Sequence, residues 1–346
     1  MKIIPIRQHE LIPPLKGGRL EGLDFLKCVM ILLMITFHLV YIEGLYPTVK
    51  TAVYTFHMPV FLVISGFLMN LNKNPRTFYG RTILWLLVPY LWIEGAYIVG
   101  AAVLPIHEHI DGLTAAVFLD RLLLHPLGPY WYLQLMVICG SCYYAVCWAT
   151  DRLLEQCTPL PRPLCNPNVR LSVKMLILFG LYYLFGALGI VSFPCALYFL
   201  LGALLRNEGG ERAFTQLFIP RRPLLFIAIA LLLVPEFRDK ASFGGILVVV
   251  AMTGGLMGVF AKMKDGKVRQ TACFLGRNSL LLYIFSPVFT ILCKVLIPLF
   301  RFDPTGILYW IICLTVCVCG CLAVSWFLER TRLSVVLFGK RQIISV

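Results

Sequence analysis

Two histidines stand inside successive apolar runs: His38 in ILLMITFHLVYIEGLYP (residues 31–47) and His57 in YTFHMPVFLVISGFL (residues 54–68). An imidazole in hydrocarbon has to be hydrogen-bonded or beside water, because an unpaired buried polar group costs about 2 kcal/mol or more. Histidine also exchanges its proton near neutral pH. Counting depth at about 1.5 Å per helical residue places His38 roughly 16 Å beyond Lys27, on one helix, and brings His57 to a similar level on an antiparallel neighbour. Glu94, thirteen residues beyond Arg81, reaches a comparable depth. Ionisable side chains within membrane spans face the bundle interior and mark functional sites by default. We therefore read His38, His57 and Glu94 as a functional layer in preference to interhelical hydrogen-bonding glue.

The elements that position this layer follow from composition. The chain of 346 residues is 59% hydrophobic and 14% charged, against roughly 45–50% and 25% in ordinary soluble domains. That balance excludes a soluble protein and predicts an all-α polytopic helix bundle. With roughly 20 apolar residues needed per crossing, ten spans are expected: about 23–42, 51–70, 82–104, 130–149, 172–191, 193–206, 222–236, 242–261, 273–299 and 307–328. The sixth and seventh are short enough to be tilted, broken or re-entrant. Residues 1–22 and 329–346 are read as cytoplasmic tails around a transmembrane domain at 23–328.

The loop charges agree with that count. With the N-terminus inside, the cytoplasmic flanks hold 24 lysines and arginines and the opposite face 5, an asymmetry that puts both termini in the cytoplasm. The same rule accounts for the net charge of +14 without a nucleic-acid partner. No cleavable signal peptide is read at the start of the chain. Most of the thirteen cysteines fall in apolar stretches, and the Cys139–Cys142 pair lacks the second pair of ligands that a zinc site needs.

Two other groups of polar residues stand out. The longest external loop, about 105–129, carries His107, His109, Asp111, Asp120 and His125; its length suits a lid or a re-entrant segment, and its histidines read as solvated side chains, with no metal expected. A second polar layer, near the cytoplasmic ends, holds Asp24, Lys27, Arg76, Arg81, Arg277 and Asn278. Lys27 either snorkels to the interface or meets phosphates as a compact cation.

At these residues the chain resembles the bacterial membrane-bound acyltransferase type 3 family. LEGLDFLKCVMILLMITFHL resembles its first-helix signature, in which an Asp precedes a basic residue by three positions and ten residues separate that basic residue from a His; here these are Asp24, Lys27 and His38. The usual basic residue is arginine, so Lys27 keeps the charge and loses the planar fork of donors. TFHMPVFLVISGFLMN matches the second-helix pattern through His57, Pro59, Ser65 and Gly66. RTFYGRTILWLLVPYLW, PYWYLQLM and FLGRNSLLLYIFSPVF are similar to later segments, with Ser286 where members often carry a histidine.

The resemblance implies transfer of an acyl group, usually acetyl, from coenzyme A as co-substrate to a sugar hydroxyl, at a multi-pass protein of the bacterial inner membrane with no bound cofactor. The acceptor expected is a cell-surface glycan or its lipid-linked precursor. In that chemistry His38 is the candidate general base, with His57 or Glu94 fixing its tautomer. Ser65, Tyr132 or a helix-end amide would stabilise the oxyanion, and direct transfer is preferred to an acyl-His38 intermediate. Lys27, Arg76, Arg81 and Asp24 are the candidate donor-binding set. Trp131 and Tyr132 could stack on the acceptor sugar, although aromatic belts at helix ends also place such residues. The rival reading from the same residues is a proton-coupled transporter of a sugar or lipid-linked glycan; a non-catalytic scaffold leaves the histidine layer unexplained.

Overall fold

The computed structural model describes residues 20–69, 71, 73–103, 109–156, 166–207 and 218–345, and all regular structure among them is helical. Residues 1–19, which make up most of the expected N-terminal tail, and His107 lie outside the described residues.

The first expected span is two helices. Helix α1, Glu21–His38, runs through helix-favouring Leu, Met and Ile until Thr36, whose hydroxyl turns back to the Leu32 carbonyl at 2.8 Å. Leu39 is extended (ψ 103°), so the chain breaks directly after His38 and restarts as α2, Val40–Leu45. Helix α3, Pro47–Phe67, opens on a proline at its first turn, where the missing N–H would have no helical partner anyway. Helix α4, Pro75–Val103, is capped by the Asn74 side chain, which accepts from Thr77 N–H at 2.8 Å. It contains a π-helical turn at Tyr79–Ile83, a local widening often found at functional sites.

Next come α5, Ala115–Leu123, and α6, Trp131–Gln156, joined through a 3-10 turn at Gly128–Tyr130. Helices α7, Pro167–Ala187, α8, Phe193–Asn207, α9, Pro223–Leu233, and α10, Phe243–Phe260, follow. The ninth expected span is also divided. Helix α11, Lys267–Arg277, is amphipathic and ends at Asn278, after which α12, Ser279–Cys293, begins. The Asn278 amide bonds backbone groups instead of continuing the helix: it donates to the Phe274 and Ser345 carbonyls, the competition with helix expected of this residue. Helix α13, Ile307–Arg330, and α14, Leu333–Phe338, complete the chain.

Among the described residues, seven helices are long and apolar enough to cross a membrane: α3, α4, α6 with its leading turn, α7, α10, α12 with the following 3-10 turn, and α13. Helices α8 and α9, of 15 and 11 residues, reach roughly 22 and 16 Å, less than the bilayer core of about 30 Å. Helix α1 has 18 residues but carries Glu21, Asp24 and Lys27.

Close backbone approach fixes the centre of the bundle. Helices α3 and α8 cross at Gly66 and Gly202: a Cβ on Gly66 would lie 2.0 Å from the Phe199 carbonyl oxygen, and one on Gly202 would lie 1.9 Å from that of Val63. Small residues permit such crossings, and dispersion contacts hold them where lipid offers no hydrophobic drive. Helix α1 packs against α3, α11 and α12.

The segment 109–130 folds back on α4 and α6. Tyr90 donates to the Leu122 carbonyl at 2.6 Å, Gln134 to the Leu123 and Leu124 carbonyls at 2.9 and 3.0 Å, and the Leu127 N–H donates to Glu94 at 2.6 Å. Ile98, Ala101 and Leu127 form a small buried core beneath it. The expected long loop is therefore a tethered cover.

Candidate active site

The break after Leu39 puts His38 at the C-terminus of α1. Its Nδ1 lies 2.7 Å from the Met34 carbonyl oxygen. A carbonyl only accepts, so Nδ1 carries the proton and Nε2 holds the lone pair of the neutral ring. His57, 3% exposed, repeats the arrangement with the Val53 carbonyl at 2.9 Å. Tyr54, one turn before His57, stands between the two imidazoles, its ring centroid 6.4 Å from that of His38 and 4.8 Å from that of His57. The two histidines thus meet through one tyrosine, as their depths predicted.

Beside this group lies a cavity of about 280 Å³. Its apolar wall includes Met34, whose carbonyl holds His38, and Met58, which follows His57 in the chain, with Phe61, Leu68, Met136 and Leu280; the two histidines and Tyr54 stand behind this wall and are not part of the lining. Its polar lining is Lys27, Ser65, Thr82, Tyr132, Arg277, Ser279 and Tyr283. The Ser65 and Tyr132 hydroxyls are hydrogen-bonded to each other. The Tyr283 hydroxyl donates to the Pro129 carbonyl, and its ring meets that of Tyr132 at 5.3 Å. Because Pro129 belongs to the folded-back segment, the cover and the cavity wall are one bonded unit. Lys27 is held by Asp24 at 2.7 Å.

The other sequence-expected residues separate. Lys27, Ser65 and Tyr132 share the cavity; Asp24 supports Lys27 from behind, buried at 6% exposure. Glu94 is fully buried and bonded to the Leu127 amide, so the carboxylate seen from sequence as a partner for His38 anchors the cover, while backbone carbonyls set the histidine tautomers. Arg76 and Arg81 are exposed and outside the cavity lining. A second cavity of about 410 Å³ is lined by Lys73, Asn74, Pro75, Tyr144, Trp148, Asp151 and Arg152, and Arg76 directly follows its Pro75. The two cavities adjoin, because Lys73 donates to Thr82 of the first at 2.9 Å. Trp131 is half-buried with its ring against Tyr132. In the 109–130 segment His109 faces Asp111 at 3.5 Å and His125 faces Asp120 at 2.9 Å. Among the described residues no group of three His, Cys, Asp or Glu side chains is placed to hold a metal.

Tyr54 escaped the sequence reading, which met Tyr283 only as the tyrosine of the late segment similar to the family's. The signal for Tyr54 was its i, i+3 spacing to His57, which puts both on one helical face. The partner of Tyr283 had no local signal, since Pro129 is 154 residues away.

Comparison with known proteins agrees with this architecture. Residues 20–326 match the acyltransferase domain of the type 3 family. The chain is 30% identical over 147 residues, 36% of its length, to the nodulation protein NolL of Sinorhizobium fredii (strain NBRC 101917 / NGR234). That match spans 38% of NolL, so the chain covers well under two-thirds of this relative. No solved structure matches the chain. A multi-pass helix bundle matched over nearly all of its spans by this domain belongs to the membrane-bound acyltransferase type 3 family.

Proposed function

We propose that the protein transfers an acyl group, acetyl in the first instance, from acyl-coenzyme A to a sugar hydroxyl of a cell-surface glycan or its lipid-linked precursor. The observation that carries this reading is the cavity lined by Lys27, Ser65 and Tyr132, whose wall residues Met34 and Met58 connect it to His38 and His57. His38 Nε2 takes the acceptor hydroxyl proton as that oxygen attacks the thioester carbonyl. The C–O bond forms, the C–S bond breaks, and the proton passes from the imidazolium to the leaving thiolate. The negative end of α1 steadies the positive charge on His38 while it lasts. In the Ser65–Tyr132 pair, the hydroxyl that accepts from its partner donates its own proton to the oxyanion. His57 and Tyr54 hold the His38 ring in place, and Glu94 acts through the cover that it anchors.

The donor enters at the Lys27 end. Lys27, fixed by Asp24, faces its phosphates, and the exposed Arg76 and Arg81 draw the anionic head toward the second cavity. Lys73 and Arg152 add positive charge there, and Trp148 lies against Arg152 at 5.8 Å. The acceptor approaches past Trp131 and the cover. In this reading α1, α8 and α9 also cross, α8 and α9 with local thinning of the bilayer, for ten crossings of the bacterial inner membrane and both termini in the cytoplasm.

The test is turnover of labelled acetyl-coenzyme A by detergent-purified protein with glycan acceptors, wild type against His38→Gln. Loss of general-base catalysis lowers kcat by about 10²–10⁴-fold with the thermal unfolding profile unchanged. Equal turnover in the variant removes His38 from the chemistry, and movement of an acceptor across vesicles without any acyl turnover favours a transporter.

A further inference from the structure

Arg277 is a second cation in the cavity lining and is not matched by a carboxylate there. Lys27 has Asp24 at 2.7 Å. Arg277 takes part in no ion pair among the described residues, and its Nε is buried without a hydrogen-bond partner. A charged donor kept from water without an acceptor is costly, and the cost is relieved when an anion enters. The guanidinium fork matches two oxygens of one phosphate, which an ammonium does not. We propose that Arg277, with Lys27, forms a binding site for a phosphate ester at one end of this cavity, preset by the chain segment 340–345. The proposal rests on the acyl-transfer reading for the identity of the ligand, which is the diphosphate of the donor.

The presetting is built into the backbone. Arg277 sits at the junction of α11 and α12. On one side, a Cβ on Gly276 would lie 1.7 Å from the Asp24 carbonyl oxygen, so the junction touches α1 next to Lys27. On the other side Asn278, 1% exposed, grips Ser345 twice: its Oδ1 accepts from Ser345 N–H at 2.8 Å and its Nδ2 donates to the Ser345 carbonyl at 3.0 Å. Glu329 holds the same segment, accepting from the Ile343 and Ile344 amides at 2.5 and 2.7 Å. Asn278 and Glu329 are positioning residues that act through Arg277.

The experiment compares acetyl-coenzyme A with acetyl-pantetheine, which carries the same thioester arm and no phosphate. In Arg277→Gln the kcat/KM for acetyl-coenzyme A falls about 10- to 100-fold through KM, acetyl-pantetheine stays within about twofold, and Arg277→Lys recovers part of the loss. Glu329→Gln shifts KM in the same donor-dependent way by a smaller factor. An equal fall for both donors makes Arg277 structural and overturns the proposal. Equilibrium binding of coenzyme A and of an isoprenyl diphosphate in vesicles separates the sources of phosphate. Weakened coenzyme A binding in Arg277→Gln supports the donor, weakened isoprenyl diphosphate binding alone overturns it in favour of a lipid-linked acceptor, and no change in either removes the site. A wild type inert toward every acyl thioester sinks the acyl-transfer reading, while the binding arm still decides the anion site.

Discussion

Helices α3 and α7 have the same length, 21 residues, and similar mean hydropathy over their apolar windows, 1.2 and 1.5, yet 67% of the α3 window is buried inside the bundle and only 11% of that of α7. Hydrophobicity does not sort them, because lipid is as good a solvent for leucine as the bundle interior is. Polar and small residues do. Helix α3 carries Tyr54, His57 and Ser65 on its inner side and crosses α8 in backbone contact at Gly66. Helix α7 buries Leu178 and Tyr182 alone among its residues, and its Gly180 has nothing within 4 Å of where a Cβ would stand. In this bundle a glycine matters by what faces it, and a hydroxyl by whether its partner lines the cavity.

That contrast can be broken by paired substitutions. The largest effect is expected at the crossing: Gly202→Leu drives a side chain into the Val63 carbonyl and removes more than about 3 kcal/mol, read as loss of the folded monomer in thermal size-exclusion, whereas Gly180→Leu leaves the profile unchanged. Equal tolerance at both positions ends the argument from close approach. Next, Tyr132→Phe deletes the hydroxyl beside Ser65 and lowers kcat by about 10²-fold. Its counterpart Tyr182→Phe loses a bond to the Cys139 carbonyl, costing about 1 kcal/mol of stability and leaving kcat alone. A drop in kcat from the second variant as large as that from the first dissolves the distinction between cavity and lipid-facing helix.

The smallest effect lies in water. Asp303 accepts from the Thr305 hydroxyl and from the Leu308 amide, and these bonds hold its carboxyl below the usual range. A depressed value in the folded state means that the contribution is present above the ordinary carboxylate pKa of about 4 and is lost as pH falls through the lowered value. Hydrogen exchange at Leu308 should therefore quicken in acid in the wild type and show no such step in Asp303→Asn.

Much of this was legible from sequence because one-dimensional depth along a helix survives folding. His38 and His57 meet, and Lys27, Ser65 and Tyr132 share a cavity, because each lies at a fixed rise from a helix end. What the local pattern does not contain is each residue's partner and its rotation about the helix. A hydropathy window passes over Leu39 and Asn278, where single residues divide two expected spans. Glu94 matched the histidines in depth, but one of its oxygens accepts from an amide 33 residues on. Arg76 and Arg81 are basic at the right level and point outward, since rotation about α4 is set by its π-helical turn and its packing, and depth carries no information about it.

The polar groups of α1 and α3 share one habit: Thr36 bonds Leu32, His38 bonds Met34, Thr55 bonds Thr51 and His57 bonds Val53, each four residues back in its own helix. During synthesis α3 leaves the ribosome well before Gly202 on α8 exists, a wait on the order of ten seconds at ordinary elongation rates. Through that interval neither helix needs a neighbour to satisfy its histidine or threonine. The self-contained bonds therefore let α1 and α3 form one at a time, each with these side chains already bonded within its own helix.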